Sequence, residues 1–266
     1  MNTQGIIRAG VLAVFACLAI GHTARGDALD DIRQTKRIRI ATDLGLPPYS
    51  MTDDKMQPTG SDIETARLLA RDLGLELVLV PTIGASRIPM LQTGKADLVI
   101  ATLSITPDRA KVIDFSVPYA TLRTVIAGVR GIEVATIEDL AGKTVGTTRG
   151  TANDIYLSEN AKGAHVVRYE DDATTAQAFV SGQIDLFATA ELLLPPIAQK
   201  NARRQLEIKY VIQAYKLAIG VKKGETRLLQ EVDSWVRANL KNGKLNEIYR
   251  RFHGSDLPEA ILNEGG

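Results

Sequence analysis

The stretch "LQTGKADLVIATLSITPDR" (residues 91–109) contains one full repeat of an α/β fold. Gly94 is typical of a helix end, and the apolar run at 96–102 predicts a buried strand. Thr106 and Pro107 then match the cap and the first position of a second helix. A buried strand between two helices indicates a parallel sheet that carries helices on its faces.

The same alternation of apolar runs and helical patterns extends to both sides of this stretch. Strands are predicted at 37–42, 75–80, 96–102, 123–129, 143–148, 164–169, 184–189 and 216–224. Helices are predicted at 61–74, 86–94, 136–142, 174–182, 191–200, 227–243 and 245–254, and from Thr106 and Thr151. The fold class is therefore α/β, and the tail at 255–266 is expected to be loosely packed.

The chain also contains an internal similarity. "LQTGKADLVIAT" (91–102) and "FVSGQIDLFATA" (179–190) align without a gap at Gly94 and Gly182. Two interpretations stay open. Either the similarity is incidental, because any helix-turn-strand unit can resemble another, or the chain has two related α/β lobes. With two lobes, a ligand would bind in the cleft between them, outside the carboxyl ends of the parallel strands.

Residues 1–26 are typical of a signal peptide. Arg8 precedes an uncharged, mostly apolar stretch at 9–20 that is too short to span a bilayer. Small residues then precede Asp27, where cleavage is expected. No later segment of the sequence is long and apolar enough to span a membrane.

The cysteine count and the net charge argue against thiol chemistry and against general binding to nucleic acid or membranes. Cys17 is the only cysteine and lies in this leader, so no disulfide or thiol chemistry is expected after cleavage. Lipoprotein cleavage at Cys17 is the alternative, but bulky Phe15 stands where a small residue is usual. Loss of Arg8 and Arg25 turns 32 basic and 31 acidic residues into 30 and 31. A formal charge of −1 gives no general attraction to nucleic acid or to a membrane.

Arg109 lies where a cation is electrostatically unfavourable. It falls in the first turn of the helix that begins at Thr106, at a cost of about 0.3–1 kcal/mol. Two interpretations fit the spacing. Arg109 is either a bidentate clamp for a carboxylate over the helix N-terminus, or a surface partner of Asp108 or Asp114.

Four segments carry a resemblance to a known family: "GSDIETARLLARDLG" (60–74), residues 87–119, "DLAGKTVGTTRGT" (139–151) and "AIGVKKG" (218–224). Together they resemble the periplasmic solute-binding proteins of polar amino-acid ABC transporters, which form family 3 of the bacterial extracellular solute-binding proteins. The resemblance covers nearly the whole chain after residue 26. The motif SITPxR…DFSxPY within residues 87–119 is highly specific for this family.

The resemblance implies a type II periplasmic-binding fold of two α/β lobes joined by two crossing strands. We expect lobe 1 at 27–127 plus 217–266 and lobe 2 at 128–216. The family captures an amino acid or a related small carboxylate and passes it to an ABC permease in the inner membrane. A periplasmic monomer without enzymatic activity, cofactor or metal is therefore expected.

The resemblance also assigns ligand-binding roles in both lobes. Arg109 would hold the α-carboxylate of the ligand, and Thr102 would meet its α-amine. Ser104, Thr151 and Ala152 would complete the anion site. The other predicted contacts are Asp43, Tyr49, Arg87, Leu103, Asn153 and Ala190.

Position 190 departs from the family pattern. Many members have an aspartate there that pairs with the α-ammonium group, whereas this chain has Ala190, and Glu191 could replace it only after a register shift. Arg87 resembles an arginine that faces the distal carboxylate in binders of acidic amino acids. It favours glutamate, aspartate or a dicarboxylate as ligand, although Asp43 leaves a basic ligand open and Arg87 could instead face only water.

Two enzyme hypotheses compete with the binding protein. A dehydratase on the same fold would need a general acid, for which Glu191 is the second-lobe candidate. A hydrolase on an unrelated two-lobe fold is disfavoured, because the chain after residue 26 has only His165 and His253, no cysteine and no GxSxG motif. No cluster of histidine and cysteine suggests a metal site.

Overall fold

The computed structural model describes residues 27–265 of the chain. The predicted leader of residues 1–26, with Cys17, lies outside the described residues. Within 27–265, no helix is both long and apolar enough to cross a membrane.

Strands and helices alternate along most of the described chain. The strands are β1 (Arg37–Thr42), β2 (Met51–Thr52), β3 (Pro58–Thr59), β4 (Glu76–Pro81), β5 (Leu98–Val99), β6 (Ile113–Val129), β7 (Thr144–Thr148), β8 (His165–Tyr169), β9 (Leu186–Ala190) and β10 (Leu206–Lys222). The helices are α1 (Ala28–Thr35), α2 (Ser61–Asp72), α3 (Arg87–Gln92), α4 (Pro107–Val112), α5 (Ala152–Asn160), α6 (Asp172–Ser181), α7 (Leu194–Lys200), α8 (Thr226–Lys241), α9 (Lys244–His253) and α10 (Glu259–Leu262). The helix predicted at 136–142 is only a 3-10 turn at Glu138–Leu140.

Eight of the strands form one continuous sheet in the order β4-β1-β5-β10-β6-β9-β7-β8. On one flank β1 pairs in parallel with β4 and β5, and on the other β7 pairs in parallel with β8 and β9. Between the flanks, β6 and β10 are antiparallel to each other and to their outer neighbours. The predicted α/β fold with two mainly parallel halves and two crossing strands is confirmed.

The crossing strands are longer than the sequence pattern predicted. Both β6 and β10 have 17 residues, whereas strands were predicted only at 123–129 and 216–224. Their middle parts carry exposed polar side chains such as Arg123 and Gln213, which interrupt the apolar alternation. The predicted lobe boundaries at 127/128 and 216/217 fall inside these two strands and stay a prediction.

Each flank of the sheet has fully buried apolar side chains that hold its helices. On the first flank Ile40 and Leu98 lie beneath Leu69 of α2, and all three have no exposed surface. On the second flank the rings of Phe179 in α6 and Phe187 in β9 have centroids 4.9 Å apart. Each such side chain contributes about 1.5–3 kcal/mol on burial, so the strand ends that carry the site rest on rigid cores.

The C-terminal segment packs on the first flank. Helix α8 turns Leu228, Val232 and Trp235 inward, and the Trp235 indole donates a hydrogen bond to Asp72 of α2 at 2.9 Å. Beyond α9, Leu257 and Ile261 are buried. The expectation of a loose tail is therefore wrong, because two apolar side chains four residues apart place one face of this segment in the core.

Replacing Ile261 by alanine tests this packing. Loss of a fully buried isoleucine is expected to lower the free energy of unfolding by about 2–4 kcal/mol, measured by urea denaturation. Glu259→Ala is the control, since Glu259 lies exposed in the same short helix. Equal stability of the Ile261→Ala variant and the wild type would contradict a packed tail.

Candidate functional site

A cavity lies where the carboxyl ends of the parallel strands of both flanks meet. The residues that line it are Leu46, Arg87, Thr102, Ser104, Arg109, Leu122, Thr124, Thr151, Ala152, Asn153, Asp172 and Ala190. Eight of the eleven residues predicted for the site are among them. The exceptions are Asp43, Tyr49 and Leu103.

Arg109 enters this cavity as a buried cation, and no carboxylate among residues 27–265 pairs with it. Only 3 % of the residue is exposed, and its two terminal nitrogens donate to the carbonyl oxygens of Ser104 and Gly150, both at 2.9 Å. Burial, aided by the charge of nearby Arg87, lowers the pKa of Arg109 to about 10. Because carbonyl oxygens carry no net charge, the site retains an uncompensated positive charge that suits an anion.

The surface ion pairs considered for Arg109 are not formed. Asp108 pairs instead with Lys111, and Asp114 pairs with Lys223 at 2.7 Å. Helix α4 is capped by the Thr106 hydroxyl, which accepts from the Arg109 backbone N–H at 3.3 Å. The cap therefore begins the helix as predicted, while the Arg109 side chain is directed inward to the cavity.

The second flank brings a helix N-terminus to the same cavity. Thr151 caps α5 by accepting from the backbone N–H of Asp154 at 3.3 Å, and Ala152 and Asn153 follow as the first helical residues. The first N–H groups of a helix have no intrahelical acceptor and favour an anion. The Asn153 side-chain oxygen is also buried without a hydrogen-bond partner among the described residues.

Asp172 is the one charged residue among the four lining residues that the sequence analysis missed; the other three are Leu46, Leu122 and Thr124. Asp172 is the first residue of α6, directly after the helix cap Asp171, and its carboxylate accepts from the Thr148 hydroxyl at 2.7 Å. None of the ion pairs among residues 27–265 includes Asp172. Burial raises its pKa, opposed by the Thr148 hydrogen bond and the charge of Arg87. The sequence feature that could have identified Asp172 is the pair of aspartates in "YEDDATT" (169–175), which directly follows a parallel strand.

Arg87 lines the cavity, but its charge is already balanced. Its guanidinium donates to the Asp43 carboxylate at 2.7 Å, and only 5 % of Arg87 is exposed. Asp43 also accepts from the backbone N–H of Gly45 at 3.0 Å, so it lies behind Arg87 and outside the lining. The Arg87 Nε has no partner among the described residues.

Tyr49 and Leu103 are structural neighbours of the cavity. The Tyr49 hydroxyl donates to the Thr121 carbonyl, and its buried ring packs edge-on against His253 with centroids 4.4 Å apart. Leu103 is fully buried against β10, where a side chain on Gly220 would approach it to 2.6 Å. Their roles are therefore to support the wall rather than to form it.

Glu191 does not replace an aspartate at position 190. Ala190 lines the cavity, whereas the Glu191 carboxylate pairs with Arg123 at 2.7 Å on the partly exposed edge of the sheet. Adjacent residues at the end of a strand face opposite sides, so the backbone keeps Glu191 outside. The register shift considered for Glu191 is wrong.

The two flanks touch through backbone atoms beside the cavity. A side chain on Gly84 would meet the Arg149 carbonyl oxygen at 2.8 Å, and one on Gly150 would meet the Ala85 Cα at 2.6 Å. Gly150 also has a φ of +70°, which favours glycine. Glycine at both positions therefore lets the flanks meet closely where Arg109 bonds to Gly150.

A buried carboxylate lies beneath the cavity floor. Asp62 has no exposed surface and accepts from the Thr102 backbone N–H at 2.7 Å and from the Tyr119 hydroxyl at 2.8 Å. Burial raises the pKa of Asp62 to about 7, and these two hydrogen bonds oppose the shift. The ionised form is therefore disfavoured in the folded protein.

The described residues contain no group of three or more histidine, cysteine, aspartate or glutamate side chains placed to hold a metal ion. Of the three charged lining residues, Arg87, Arg109 and Asp172, only Arg87 forms an ion pair among the described residues. Asp43 neutralises Arg87, which leaves Arg109 and Asp172 as the charges without an ionic partner. A molecule with one carboxylate and one ammonium group would complement both.

Comparison with known proteins places the chain in one family of binding proteins. The family profile "Bacterial extracellular solute-binding proteins, family 3" matches residues 38–255. The L-cystine-binding protein TcyJ of Escherichia coli (strain K12) is 26 % identical over 97 % of both chains. The ABC transporter glutamine-binding protein GlnH of Bacillus subtilis (strain 168) is 32 % identical over 75 % of this chain and 74 % of its own length.

A solved structure and an enzyme are also similar to the chain. The P235GK mutant of ArgBP from T. maritima superposes with a TM-score of 0.78, at 30 % identity over 86 % of this chain and 100 % of its own. Cyclohexadienyl dehydratase of Pseudomonas aeruginosa is 28 % identical over 67 % of this chain and 70 % of its own length. The relatives of this chain therefore include an enzyme as well as proteins named for binding.

Replacing Asp62 by asparagine tests the burial of its charge. Folding raises the pKa of Asp62 above its ordinary value near 4 to about 7, so the folded state binds a proton more tightly than the unfolded chain. Stability from this group is complete below about pH 4 and is lost as the pH rises through about 7. The Tm of Asp62→Asn relative to the wild type is therefore expected to rise from pH 5 to pH 8. A constant or falling difference would contradict the raised pKa.

Proposed function

Because the chain belongs to family 3 of the bacterial extracellular solute-binding proteins, we propose that it captures a zwitterionic amino acid between its two lobes. The bound amino acid would then pass to an ABC permease. The observation that carries this proposal is the presence of one unpaired cation, Arg109, and one unpaired carboxylate, Asp172, in one cavity. A signal peptide at residues 1–26 would place the mature protein in the periplasm, as a monomer.

The proposed carboxylate site draws on both lobes. Arg109 supplies the charge, and the N-terminus of α5 at Ala152 and Asn153 supplies N–H groups. Arg109 donates to the Gly150 carbonyl, so a bound carboxylate would exchange a neutral acceptor for a charged one. Such charge-assisted hydrogen bonds are about twice as strong as neutral ones, and a dry, closed site strengthens them further.

The proposed ammonium site uses Asp172 in place of the family's aspartate at position 190. The Thr148 hydroxyl occupies one face of this carboxylate and leaves room for further donors. Thr102, on the opposite lobe, lines the same cavity. An ammonium ion would remove the like-charge and desolvation cost that keeps the pKa of Asp172 raised.

The ligand side chain is proposed to carry no net charge. An acidic ligand was expected because Arg87 resembles an arginine that faces the distal carboxylate in binders of acidic amino acids. In the structure, however, Asp43 balances Arg87 at 2.7 Å. A second ligand carboxylate would therefore gain little net attraction. The remaining lining side chains include Leu46, Leu122 and Ala190, which are apolar. Relatives named for L-cystine and glutamine bind ligands of this overall charge.

The dehydratase alternative receives no support from the residue on which it rested. Glu191 pairs with Arg123 outside the cavity, so it cannot protonate a ligand there. We therefore propose reversible binding with closure and no turnover. The ligand would favour closure only by its greater affinity for the closed form.

Thermal unfolding against the twenty amino acids, L-cystine and small dicarboxylates tests the function. At about 1,000 times its dissociation constant a ligand adds roughly 4 kcal/mol, which is about 8–16 °C for a chain of this size. A net-neutral amino acid is expected to give the largest shift. Arg109→Ala should abolish the shift, whereas Arg123→Ala, which removes an arginine outside the cavity, should keep it. An unchanged shift in Arg109→Ala would refute the carboxylate site.

Asp172→Asn tests the ammonium site. Loss of the negative charge is expected to weaken the amino acid that stabilises the wild type by about tenfold or more, measured by calorimetry. Asp171→Asn is a matched control, because asparagine caps a helix as well as aspartate does and Asp171 does not line the cavity. Equal affinity in Asp172→Asn and Asp171→Asn would exclude Asp172 as the ammonium partner.

A further inference from the structure

Thr102 has a backbone conformation that its side chain disfavours. Its φ is +47°, in the left-handed region, where a β-branched residue is a rare outlier. Such a conformation costs of order 1–3 kcal/mol and persists only where the surroundings fix it. Glycine would adopt this turn freely, so the presence of threonine at this point of the cavity wall needs a reason.

Hydrogen bonds on both sides restrict the backbone at Thr102. Before it, the Thr102 N–H is held by the Asp62 carboxylate at 2.7 Å, which fixes the plane of the peptide that joins Ala101 to Thr102. After it, the Leu103 carbonyl accepts from the Ala218 N–H of β10 at 3.1 Å. Only the backbone rotations of Thr102 and Leu103 lie between these two held peptide planes, and the left-handed φ of Thr102 is one of them.

Asp62 is itself rigidly placed. Its backbone N–H donates to the Tyr49 carbonyl at 2.8 Å at the start of α2, and its second carboxylate oxygen accepts from the Tyr119 hydroxyl at 2.8 Å. A side chain on Gly60 would lie 2.3 Å from the same Tyr49 carbonyl, so glycine permits this close approach. The carboxylate therefore has one available position, directly beneath Thr102.

The Asp62 carboxylate is costly for the fold. No ion pair among residues 27–265 includes Asp62, and its side chain has no exposed surface. A buried carboxylate held by only two hydrogen bonds costs stability relative to a neutral side chain of the same shape. A group that costs stability and holds a strained residue of the cavity is expected to serve the ligand site.

We propose that Asp62 and Tyr119 are positioning residues, which hold Thr102 in its left-handed conformation and so pre-organise the floor of the cavity for the ligand. Neither residue lines the cavity. Their effect on affinity therefore acts through Thr102 and rests on the proposed binding function, whereas their effect on the Thr102 backbone does not.

Amide hydrogen exchange in the unliganded chain without residues 1–26 tests the backbone part. In Asp62→Ala the Thr102 N–H loses its acceptor, and its exchange is expected to accelerate by about tenfold or more. Asp62→Asn keeps an acceptor oxygen, and its rate should stay within about threefold of the wild type. Asp233→Ala is the control, because Asp233 also accepts a backbone N–H, that of Val117 at 2.8 Å. Unchanged Thr102 exchange in Asp62→Ala would overturn the proposal.

Tyr119→Phe covers the case in which Asp62→Ala does not fold. This variant keeps the carboxylate and removes one of its two donors, so the Thr102 N–H is expected to exchange faster than in the wild type. The absence of any change in Tyr119→Phe would remove Tyr119 from the proposal.

A double-mutant cycle tests the link to the ligand, with the amino acid that gives the largest Tm shift as the probe. In the wild-type background, Asp62→Ala should lower the affinity for this amino acid about tenfold. In the Thr102→Gly background the same substitution should lower it by less than about threefold, because glycine adopts the left-handed turn without the Asp62 hydrogen bond. Equal losses in both backgrounds would overturn positioning through Thr102. If no amino acid shifts the wild-type Tm, the proposed function fails, and the exchange measurement still decides the backbone part.

Discussion

The antiparallel pairing of β6 and β10 is the interaction on which the rest of the molecule depends. These two 17-residue strands are the inner strands of the sheet, and each flank is attached to one side of them. Their register shifts four times, between positions 208 and 220 of β10. Such bulges bend and twist a ribbon, so the two flanks face one another across the cavity instead of extending as one flat sheet.

Electrostatics explains why the cavity is built from charges that the fold leaves unpaired. The fold neutralises Arg87 with Asp43 but gives Arg109 only carbonyl oxygens and Asp172 only a hydroxyl. In a partly dry site, these two residues are less stable than they would be with ionic partners. Under the proposed function a zwitterion would supply both partners at once, and this cost would become selectivity for such a ligand.

The sequence was informative where one local pattern determines structure. The motif at 104–109 pointed to Arg109, Ser104 and the helix start, and the resemblance to the family pointed to Thr102 and Ala190, which also line the cavity. Asp172 was not predicted as a lining residue, because a second acid after a helix cap is typical of a solvated first turn. Only the folded structure shows that it faces the cavity. The Asp43–Arg87 pair escaped for a related reason, since the two residues are 44 positions apart and meet only through the order of β1 and β4. The full length of the two crossing strands was not predicted, because exposed polar residues interrupt their apolar alternation.

The contact between Gly84 and the 149–151 segment makes the fit between the two lobes independent of the side chains that line the cavity. Because the lobes meet there through backbone atoms, the fit of that contact does not depend on the side chains that surround a ligand. Under the proposed function, substitutions at Leu46, Leu122 or Ala190 would change which amino acid fits and leave this contact between the lobes intact. The lining residues could then vary with the ligand, whereas at Gly84 and Gly150 even a methyl group would clash with backbone atoms of the other lobe.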